Sequence, residues 1–342
     1  MNLGPLEQAI TKQDIKQFLS LHKNPDDYKP FFLRDLGLDD ETQGALTFFA
    51  VFTALFLAAS FSMPSANILI PVCIVMLIVG IPLAVAALVI ARKKKNYDIQ
   101  TAIEISRLAE ANGWSYVYYK ANTHFAGILF TAGHHYRFTN VVNGPGFQVG
   151  QCKFKTGSGR SEREYHYVYL AIPLQRELPN MVLDSKSNNY QLLGMEISNL
   201  PETLNKDQVI SLEGDFDKYY TLYAPKDYDA DVRYVFTPDL MQALIRESDS
   251  IDIEILDNTM LVYLGKNDIG TIEFWQRIGR FMDIVGDKIQ RQTQNYSDDK
   301  SLVSGVVAPQ GRQLRRGVST VSVVLAVLYV LLQLLDFWNK YH

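Results

Sequence analysis

Cysteine is scarce in this sequence of 342 residues, which contains only Cys73 and Cys152. The first lies in an apolar run and the second in a polar region, so we expect no disulfide framework, no cysteine-rich zinc site and a reducing compartment. We also expect no signal peptide, because the first forty residues are polar and include Asp26, Asp27, Asp39 and Asp40. The net charge of −4, without a basic face, argues against a nucleic-acid partner.

Motifs of the common enzyme classes are missing as well. The sequence has no Gly-x-Ser-x-Gly elbow, Walker loop or kinase signature, and Cys152 lacks the context of a nucleophile. Gly144-Pro145-Gly146, which Gly150 follows, leads into a predicted strand, whereas a phosphate-binding loop needs the N-terminus of a helix behind it. We therefore expect no catalytic residues and no cofactor, and an enzyme is the less favoured class.

Three long apolar runs contrast with these absences: Ala45–Met63, Ile68–Ala91 and Val318–Phe337. A bilayer core is roughly 30 Å thick and needs about 20 apolar residues in a helix, because lipid offers no hydrogen-bond partners to bare backbone. The sequence therefore predicts a transmembrane hairpin over residues 45–91, turning at Pro64–Asn67, and a C-terminal transmembrane helix over residues 318–337. No run has a charge in its middle, which argues against a transporter that acts alone.

Basic residues at the ends of these runs set the predicted orientation, since Lys and Arg favour the cytoplasmic side. The topology-setting residues are Arg92, Lys93, Lys94, Lys95, Arg312, Arg315 and Arg316. We therefore expect a multi-pass protein of the bacterial inner membrane with its large domain in the cytoplasm. The predicted domains are a cytoplasmic N-terminal segment (1–44), the hairpin (45–91), a cytoplasmic α+β domain (96–310) and the C-terminal helix (318–337).

The polar region between the runs changes character at Trp114. A helix is predicted from about Asp98 to Asn112, and short aromatic and β-branched stretches after it predict mainly antiparallel sheet with flanking helices. The predicted strands are Trp114–Tyr119, Gly127–Phe130, Tyr136–Val142, Phe147–Phe154, Tyr165–Ile172, Val209–Leu212 and Tyr219–Tyr223, with a further extended segment at Leu178–Leu183.

The remaining elements follow from caps and turns. Thr11 with Asp14 predicts the start of a short N-terminal helix, and Thr237 caps a helix from Pro238 to Arg246. Ile251–Leu256 and Met260–Leu264 predict a β-hairpin that turns at Asp257-Asn258. A last helix is predicted over Ile272–Gln292, and a polar linker follows over residues 295–311.

Two motifs resemble a known family. They are Leu212–Pro225 (LEGDFDKYYTLYAP) and Val235–Ile245 (VFTPDLMQALI), and Gly113-Trp114 and Leu178-Pro179 are similar to weaker landmarks of the same pattern. The pair resembles the signature of uncharacterised bacterial membrane proteins, some from reduced-genome lineages, that are classified under a domain of unknown function. The resemblance covers roughly residues 96–310 and implies a membrane-anchored domain, without any known activity or catalytic residue.

The acidic residues Glu213, Asp215 and Asp217 are the sharpest candidate for a ligand site. Carboxylates at alternate positions of an extended segment point to one side and could hold a hard cation. Gly214 and the lack of calcium-loop spacing favour a turn whose acids are solvated or hydrogen-bonded, and we prefer that interpretation.

Histidines provide the second candidate. His134 and His135, with His124 and His166, supply the nitrogen ligands that zinc favours. Adjacent histidines in a strand point to opposite faces, however, so we favour surface or packing roles and predict no metal.

The sequence thus favours a non-catalytic interaction or sensing module anchored at the cytoplasmic face, with the lipid bilayer and other membrane or cytoplasmic proteins as partners. The alternatives are a membrane-associated, metal-dependent hydrolase that uses Asp215, Asp217 and a histidine, and an accessory subunit of a membrane assembly.

Overall fold

The computed structural model describes residues 1–22, 97–192, 194–247, 250–318 and 329–335, with the single residues Ala86, Val89, Lys93 and Trp338. The chain divides into two compact units: Met1–Glu7 with Ile105–His342, and Gln8–Glu104. The first unit contains the sheet and every residue considered below as a site.

Helix α1, Lys12–Leu21, belongs to the second unit. Its start confirms the predicted cap: the Asp14 amide donates to Thr11 Oγ1 at 3.2 Å, and the Thr11 amide donates to Asp14 Oδ2 at 2.7 Å. These two bonds satisfy amide groups that have no partner inside the helix.

Helix α2 covers residues 97–111, which confirms the helix predicted from Asp98 to Asn112. Gly113 follows with φ +68°, a conformation that glycine adopts without a Cβ clash. The buried residues Ile105, Leu108 and Ala109 of this helix belong to the core of the first unit.

The main sheet of the first unit is antiparallel and has the order β1-β2-β3-β4-β8-β7, with β9 paired to β4 off this path. Its strands are β1 Ser115–Lys120, β2 His134–Gly144, β3 Phe147–Thr156, β4 Arg163–Ser185, β7 Val209–Ile210, β8 Tyr220–Tyr223 and β9 Asp252–Tyr263. A small separate hairpin pairs β5 Tyr190–Leu192 with β6 Met195–Ile197. The prediction of an α+β region with mainly antiparallel sheet is confirmed.

Two long strands form the spine of this sheet and correct the prediction around them. The segments Tyr165–Ile172 and Leu178–Leu183 belong to the single strand β4, and the predicted hairpin at Asp257-Asn258 is wrong because β9 runs continuously through it. Asp257 has φ +50°, so the residues that looked like a turn instead bend the strand. The strand β4 bulges opposite this bend, since Pro173 pairs with Thr259 while Leu178 pairs with Asp257.

The two faces of the sheet carry separate cores. One face contributes Met181, Leu183, Ile253 and Ile255 to a large cluster that α2 and the later helices complete. The other face contributes Val182, Tyr169, Leu261 and Tyr263 to a smaller cluster. This alternation is the period of two that a strand imposes, so neighbouring positions of β4 and β9 lie in different cores.

Short helices complete the first unit. They are α3 Ile128–Thr131, α4 Phe216–Tyr219, α5 Asp229–Val235, α6 Pro238–Glu247, α7 Ile272–Phe281 and α8 Asp287–Thr293, with a π-helical turn at Met282–Gly286 between the last two. The helices predicted over Pro238–Arg246 and Ile272–Gln292 are confirmed. The strand predicted over Gly127–Phe130 is wrong, since Ile128, Leu129 and Phe130 form a helical turn that is buried over the smaller core.

Residues 295–318, predicted in large part as a polar linker, form a strap that is bonded to the sheet unit. The Tyr296 hydroxyl donates to Asp231 Oδ1 at 2.7 Å, and the Val307 amide donates to Glu177 Oε2 at 2.9 Å. The Gly317 amide donates to the Thr203 carbonyl at 2.8 Å. The strap is therefore part of the fold.

The membrane architecture predicted from the apolar runs is corrected by the structure. Among the described residues no helix is both long enough and apolar enough to cross a bilayer. The runs Ala45–Met63 and Ile68–Ala91 lie outside the described residues except for Ala86 and Val89, and much of the run Val318–Phe337 lies outside them too. The fold class that the structure supports is α+β on a large antiparallel sheet.

Candidate functional site

An open depression of about 350 Å³ lies on the surface of the sheet unit, where the C-terminal end of α6 meets α7. Its lining residues are Arg246, Glu247, Ser250, Arg277 and Arg280. Arg277 and Arg280 are three positions apart on α7, so they project from the same side of that helix. We call this feature the arginine depression.

The amphipathic pattern of α7 positions this basic surface. Phe274, Trp275 and Ile278 are buried in the large core, and the indole Nε1 of Trp275 donates to the Ile269 carbonyl at 2.8 Å. This anchoring fixes the rotation of the helix, so its polar side chains face outward.

Charge in the arginine depression is predominantly positive. Arg246 Nε donates to Glu247 Oε1 at 2.8 Å, and that glutamate is the acidic residue among those that line the depression. The Arg246 side chain is 67 % exposed, so most of its donors remain in solvent. Guanidinium groups in a shared depression can bind carboxylates with paired hydrogen bonds.

The acidic candidates Glu213, Asp215 and Asp217 lie around a turn at Gly214-Asp215 that leads into helix α4, which contains Asp217. Gly214 has φ +72°, and Asp215 pairs with Lys218 at 2.7 Å. Asp217 accepts the Ser211 hydroxyl and, at 3.2 Å, the Leu212 amide. The segment enters helix α4 at Phe216, so the carboxylates do not alternate along a strand as a shared site would require.

The histidine candidates lie close together, contrary to the expectation from strand alternation. His135 has φ +55°, which breaks the alternation, and its ring centroid is 4.7 Å from that of His134. Ligand atoms of His134, His135 and Glu162 lie within 4.8 Å of one another. Lys155 Nζ donates to Glu162 at 2.7 Å, and His134 Nε2 lies 3.3 Å from the same carboxylate. The ammonium group of Lys155 therefore already balances the charge of Glu162.

A second group of potential ligands, Asp231, Asp298 and Asp299, was not singled out from the sequence. Lys300 Nζ lies 3.1 Å from Asp231 and 3.2 Å from Asp299. The Tyr228 hydroxyl donates to Asp298 at 2.9 Å. These acids therefore bond the strap to the sheet unit. Neither group combines Asp215 or Asp217 with a histidine, as the hydrolase alternative would require.

Most of the topology-setting residues that the structure describes have partners within the fold. Arg312 pairs with Glu177 and lies 3.2 Å from Asp257, and Arg316 pairs with Glu202 at 2.6 Å. The backbone of Arg315 exchanges hydrogen bonds with the side chain of Gln208. Lys93 is described alone, and Arg92, Lys94 and Lys95 lie outside the described residues. The orientation and localisation derived from these residues stay predictions.

Burial disfavours Cys152 as a nucleophile at neutral pH. Its side chain is fully buried in the smaller core, and burial raises the pKa of its thiol far above the ordinary value. Since the thiolate is the reactive form, the residue is a packing element.

Three buried acids on β4 and β9 are the functional groups that sequence reasoning missed. Asp184, Asp252 and Glu254 are each at most 3 % exposed. Burial raises the pKa of Asp184 to about 7, helped by the nearby charge of Asp252, and burial also raises the pKa of Glu254 to about 7. The alternating sequence Ile251-Asp252-Ile253-Glu254 does indicate a strand with both acids on one face. That pattern is typical of a strand whose polar face is exposed to water, so it did not predict that the acids are buried.

Glu254 is held by groups from three parts of the fold. Its Oε2 accepts the Ile128 amide at 2.7 Å and the Tyr263 hydroxyl at 2.5 Å, and the Asn180 side chain is a further hydrogen-bond partner. Gly127 permits this approach, because a Cβ there would lie 2.7 Å from Glu254 Oε2. These bonds make Glu254 a junction between α3 and the sheet.

Comparisons with known proteins identify no family. No protein-family model matches the sequence, and no curated protein matches it. A solved structure that matches is the crystal structure of the mycobacterial trehalose monomycolate transport factor A, TtfA, with 14 % sequence identity over 54 % of this chain and 94 % of that chain. Its TM-score of 0.36 is too low to support an argument about fold or function.

Proposed function

We propose that this chain is a non-catalytic interaction module that binds an acidic segment of a partner protein in the arginine depression. The observation that supports this function is the convergence of Arg246, Arg277 and Arg280 around one open cavity in a chain whose net charge is −4. A local excess of positive charge on an acidic protein favours an acidic ligand at that place and disfavours one elsewhere.

The lining of the depression supports binding more than catalysis. Arginine is effectively always protonated and does not serve as a general base at neutral pH. Glu247 is engaged by Arg246, and the Ser250 hydroxyl lies 3.2 Å from the Ser187 hydroxyl without a histidine among the lining residues. The groups present can hold a carboxylate, but they do not form an acid–base pair.

A polyglutamate peptide labelled with fluorescein tests this function, with anisotropy as the measurement on the full chain. The double variant Arg246→Gln/Arg280→Gln removes two exposed guanidinium groups and is expected to weaken binding about tenfold. Arg277 is retained because it makes an interaction within the fold. The affinity should fall with added salt, because exposed charges are screened beyond about 8 Å at physiological ionic strength.

The matched control is Arg291→Gln, which removes one exposed arginine on α8 outside the depression. It should leave the affinity within about twofold of wild type. Equal losses in the control and the double variant would indicate nonspecific attraction and refute the proposal. So would binding of the peptide that the double variant does not alter.

A further inference from the structure

Two of the buried acids face each other across the spine of the sheet. Val182 pairs with Glu254 and Leu183 pairs with Ile253, so one step further in the same register Asp184 lies opposite Asp252. The Ser185 amide donates to Asp252 Oδ1 at 2.9 Å, which fixes the acid at this position. Directly opposed residues of an antiparallel pair have Cβ atoms about 5 Å apart, so the carboxyl groups are close neighbours.

Such a pair is costly unless its charge is balanced. Asp184 is 3 % exposed and Asp252 is 1 % exposed, and among the described residues neither forms an ion pair with a lysine or arginine. Like charges opposite each other in a sheet repel, and burial adds a desolvation penalty. Hydrogen bonds from Ser198 and Asn189 to Asp184, and from Ser185, Asn188 and Asn199 to Asp252, offset part of this cost. These donors carry no net charge, so two ionised carboxylates at this place still need a positive charge or a proton to balance them.

Unpartnered oxygen atoms lie at the same place. Asp184 Oδ1 is buried without a hydrogen-bond partner, and so are Oδ1 of Asn188 and Oδ1 of Asn199. Both amides approach Asp252 through nitrogen, with Nδ2 of Asn188 at 3.1 Å and Nδ2 of Asn199 at 3.0 Å from Asp252 Oδ2. Because the oxygen and nitrogen of an amide share one carbon, a half-turn of each side chain would direct its oxygen toward the two carboxylates.

We propose that Asp184, Asp252, Asn188 and Asn199 form a binding site for a hard divalent cation, with calcium the best match. Carboxylates and amide carbonyls are the oxygen ligands that calcium accepts in flexible geometry, whereas magnesium demands a near-ideal octahedron and zinc prefers nitrogen and sulfur. A cation balances both acids and gives Asp184 Oδ1 a partner, and the oxygens of Asn188 and Asn199 gain one after their side chains turn. The partly exposed Asn188 and Asn199 provide the route from solvent.

The positions of the four ligands determine which parts of the fold the cation would connect. Asp184 and Asp252 belong to the two spine strands, while Asn188 and Asn199 flank the small β5–β6 hairpin. Binding therefore ties that hairpin to the sheet and stabilises the segment between β4 and β7.

Thermal unfolding of the full chain in calcium chloride, magnesium chloride or EDTA tests the site. Calcium at about one hundred times its Kd should raise the Tm by about 5 °C over EDTA, with a smaller effect of magnesium. Asp184→Asn keeps the size of the side chain and should abolish the calcium-dependent rise. The matched control Asp299→Asn alters the other acidic group, at an exposed position, and should retain the rise.

Terbium luminescence locates the ion independently of stability. Tyr167 donates to the Asn199 carbonyl at 3.1 Å, so a terbium ion in this site should emit when tyrosine is excited. Calcium should quench the emission by displacement, and Tyr167→Phe should reduce it without changing the calcium-dependent Tm.

Three results would overturn the proposal: no calcium-dependent change in Tm at millimolar concentration, a rise that persists in Asp184→Asn, or a rise that Asp299→Asn abolishes. If Asp184→Asn stabilises the protein in EDTA while calcium has no effect, the two acids share a proton and the cation site does not exist.

Discussion

Replacing Glu254 with glutamine should remove a loss of folding stability that the wild-type protein undergoes as the pH rises. The carboxyl group is 1 % exposed, and burial raises its pKa from 4.5 to about 7. Below pH 4.5 it is protonated in both folded and unfolded chains, and its contribution to stability is fully present. Between pH 4.5 and about 7 only the unfolded chain loses the proton, so stability falls as pH rises. Above the folded-state pKa both states are ionised and the loss is complete.

The size of this loss follows from the two pKa values. At 1.36 kcal/mol per pKa unit, the interval from 4.5 to about 7 corresponds to about 3 kcal/mol of unfolding free energy. Glutamine retains one oxygen for the Ile128 amide and the Tyr263 hydroxyl. The Asn180 amide, which donates to Glu254 in the wild type, must turn by half so that its unpartnered Oδ1 accepts the new amide. The variant should therefore keep the contacts with Ile128 and Tyr263, reverse the hydrogen bond with Asn180, and lose the titration.

Urea unfolding at pH 5 and pH 8, followed by tryptophan fluorescence, provides the measurement. The unfolding free energy of Glu254→Gln relative to wild type should increase by about 2–3 kcal/mol between these pH values. Glu110→Gln is the control, since Glu110 is exposed on α2 and its replacement should leave the pH dependence unchanged. If Glu254→Gln follows wild type at both pH values within about 0.5 kcal/mol, the carboxyl group is not the neutral buried acid that this reasoning requires.

Two further predictions concern packing. Trp275→Phe should lower the unfolding free energy by about 1–3 kcal/mol, because it leaves the buried Ile269 carbonyl without its donor. Urea unfolding measures this change, and a loss of less than about 1 kcal/mol would contradict the prediction. Gly311→Ala should lower the Tm and increase proteolysis of the strap, because the new Cβ would lie 2.6 Å from the ring of Tyr228 and from a methyl group of Val307. If the Tm and the rate of cleavage are unchanged, the strap moves to accommodate the methyl group and the prediction is wrong.

Local sequence patterns predicted the elements that depend on neighbouring residues. The cap at Thr11 and the helix beginning at Pro238 rest on contacts a few positions apart, and the structure has both. The Gly127–Phe130 segment shows where such reasoning ends. Its apolar residues suit a strand, but the amide of Ile128 reaches Glu254, 126 positions away, and that contact is invisible in the local pattern. The three predicted transmembrane helices likewise rested on apolar composition alone, and no described helix has the length to support them.

The candidate sites could not be predicted from the sequence either, because they too depend on contacts between distant residues. Asp184 and Asp252 are far apart in the chain and become neighbours only through the register of β4 with β9. Their alternation with apolar residues predicts a solvent-facing side, whereas Tyr167 and Tyr263 cover that side in the smaller core. The acids and histidines that attracted attention in the sequence, such as Asp217 and His134, are instead engaged by nearby groups at the surface.

Arg312, which the sequence suggested as a topology-setting residue, lies at the bend in β9. Its guanidinium group pairs with Glu177, in the bulge of β4, and lies 3.2 Å from Asp257, the residue with φ +50° in β9. Its Nε also donates to the Val307 carbonyl at 3.0 Å, so the strap closes over the point where both spine strands leave regular pairing. A hairpin turn at Asp257 would have separated the two halves of β9. Bulge, bend and strap meet at this one arginine, and the strand continues along β4 in the register that places Asp252 opposite Asp184.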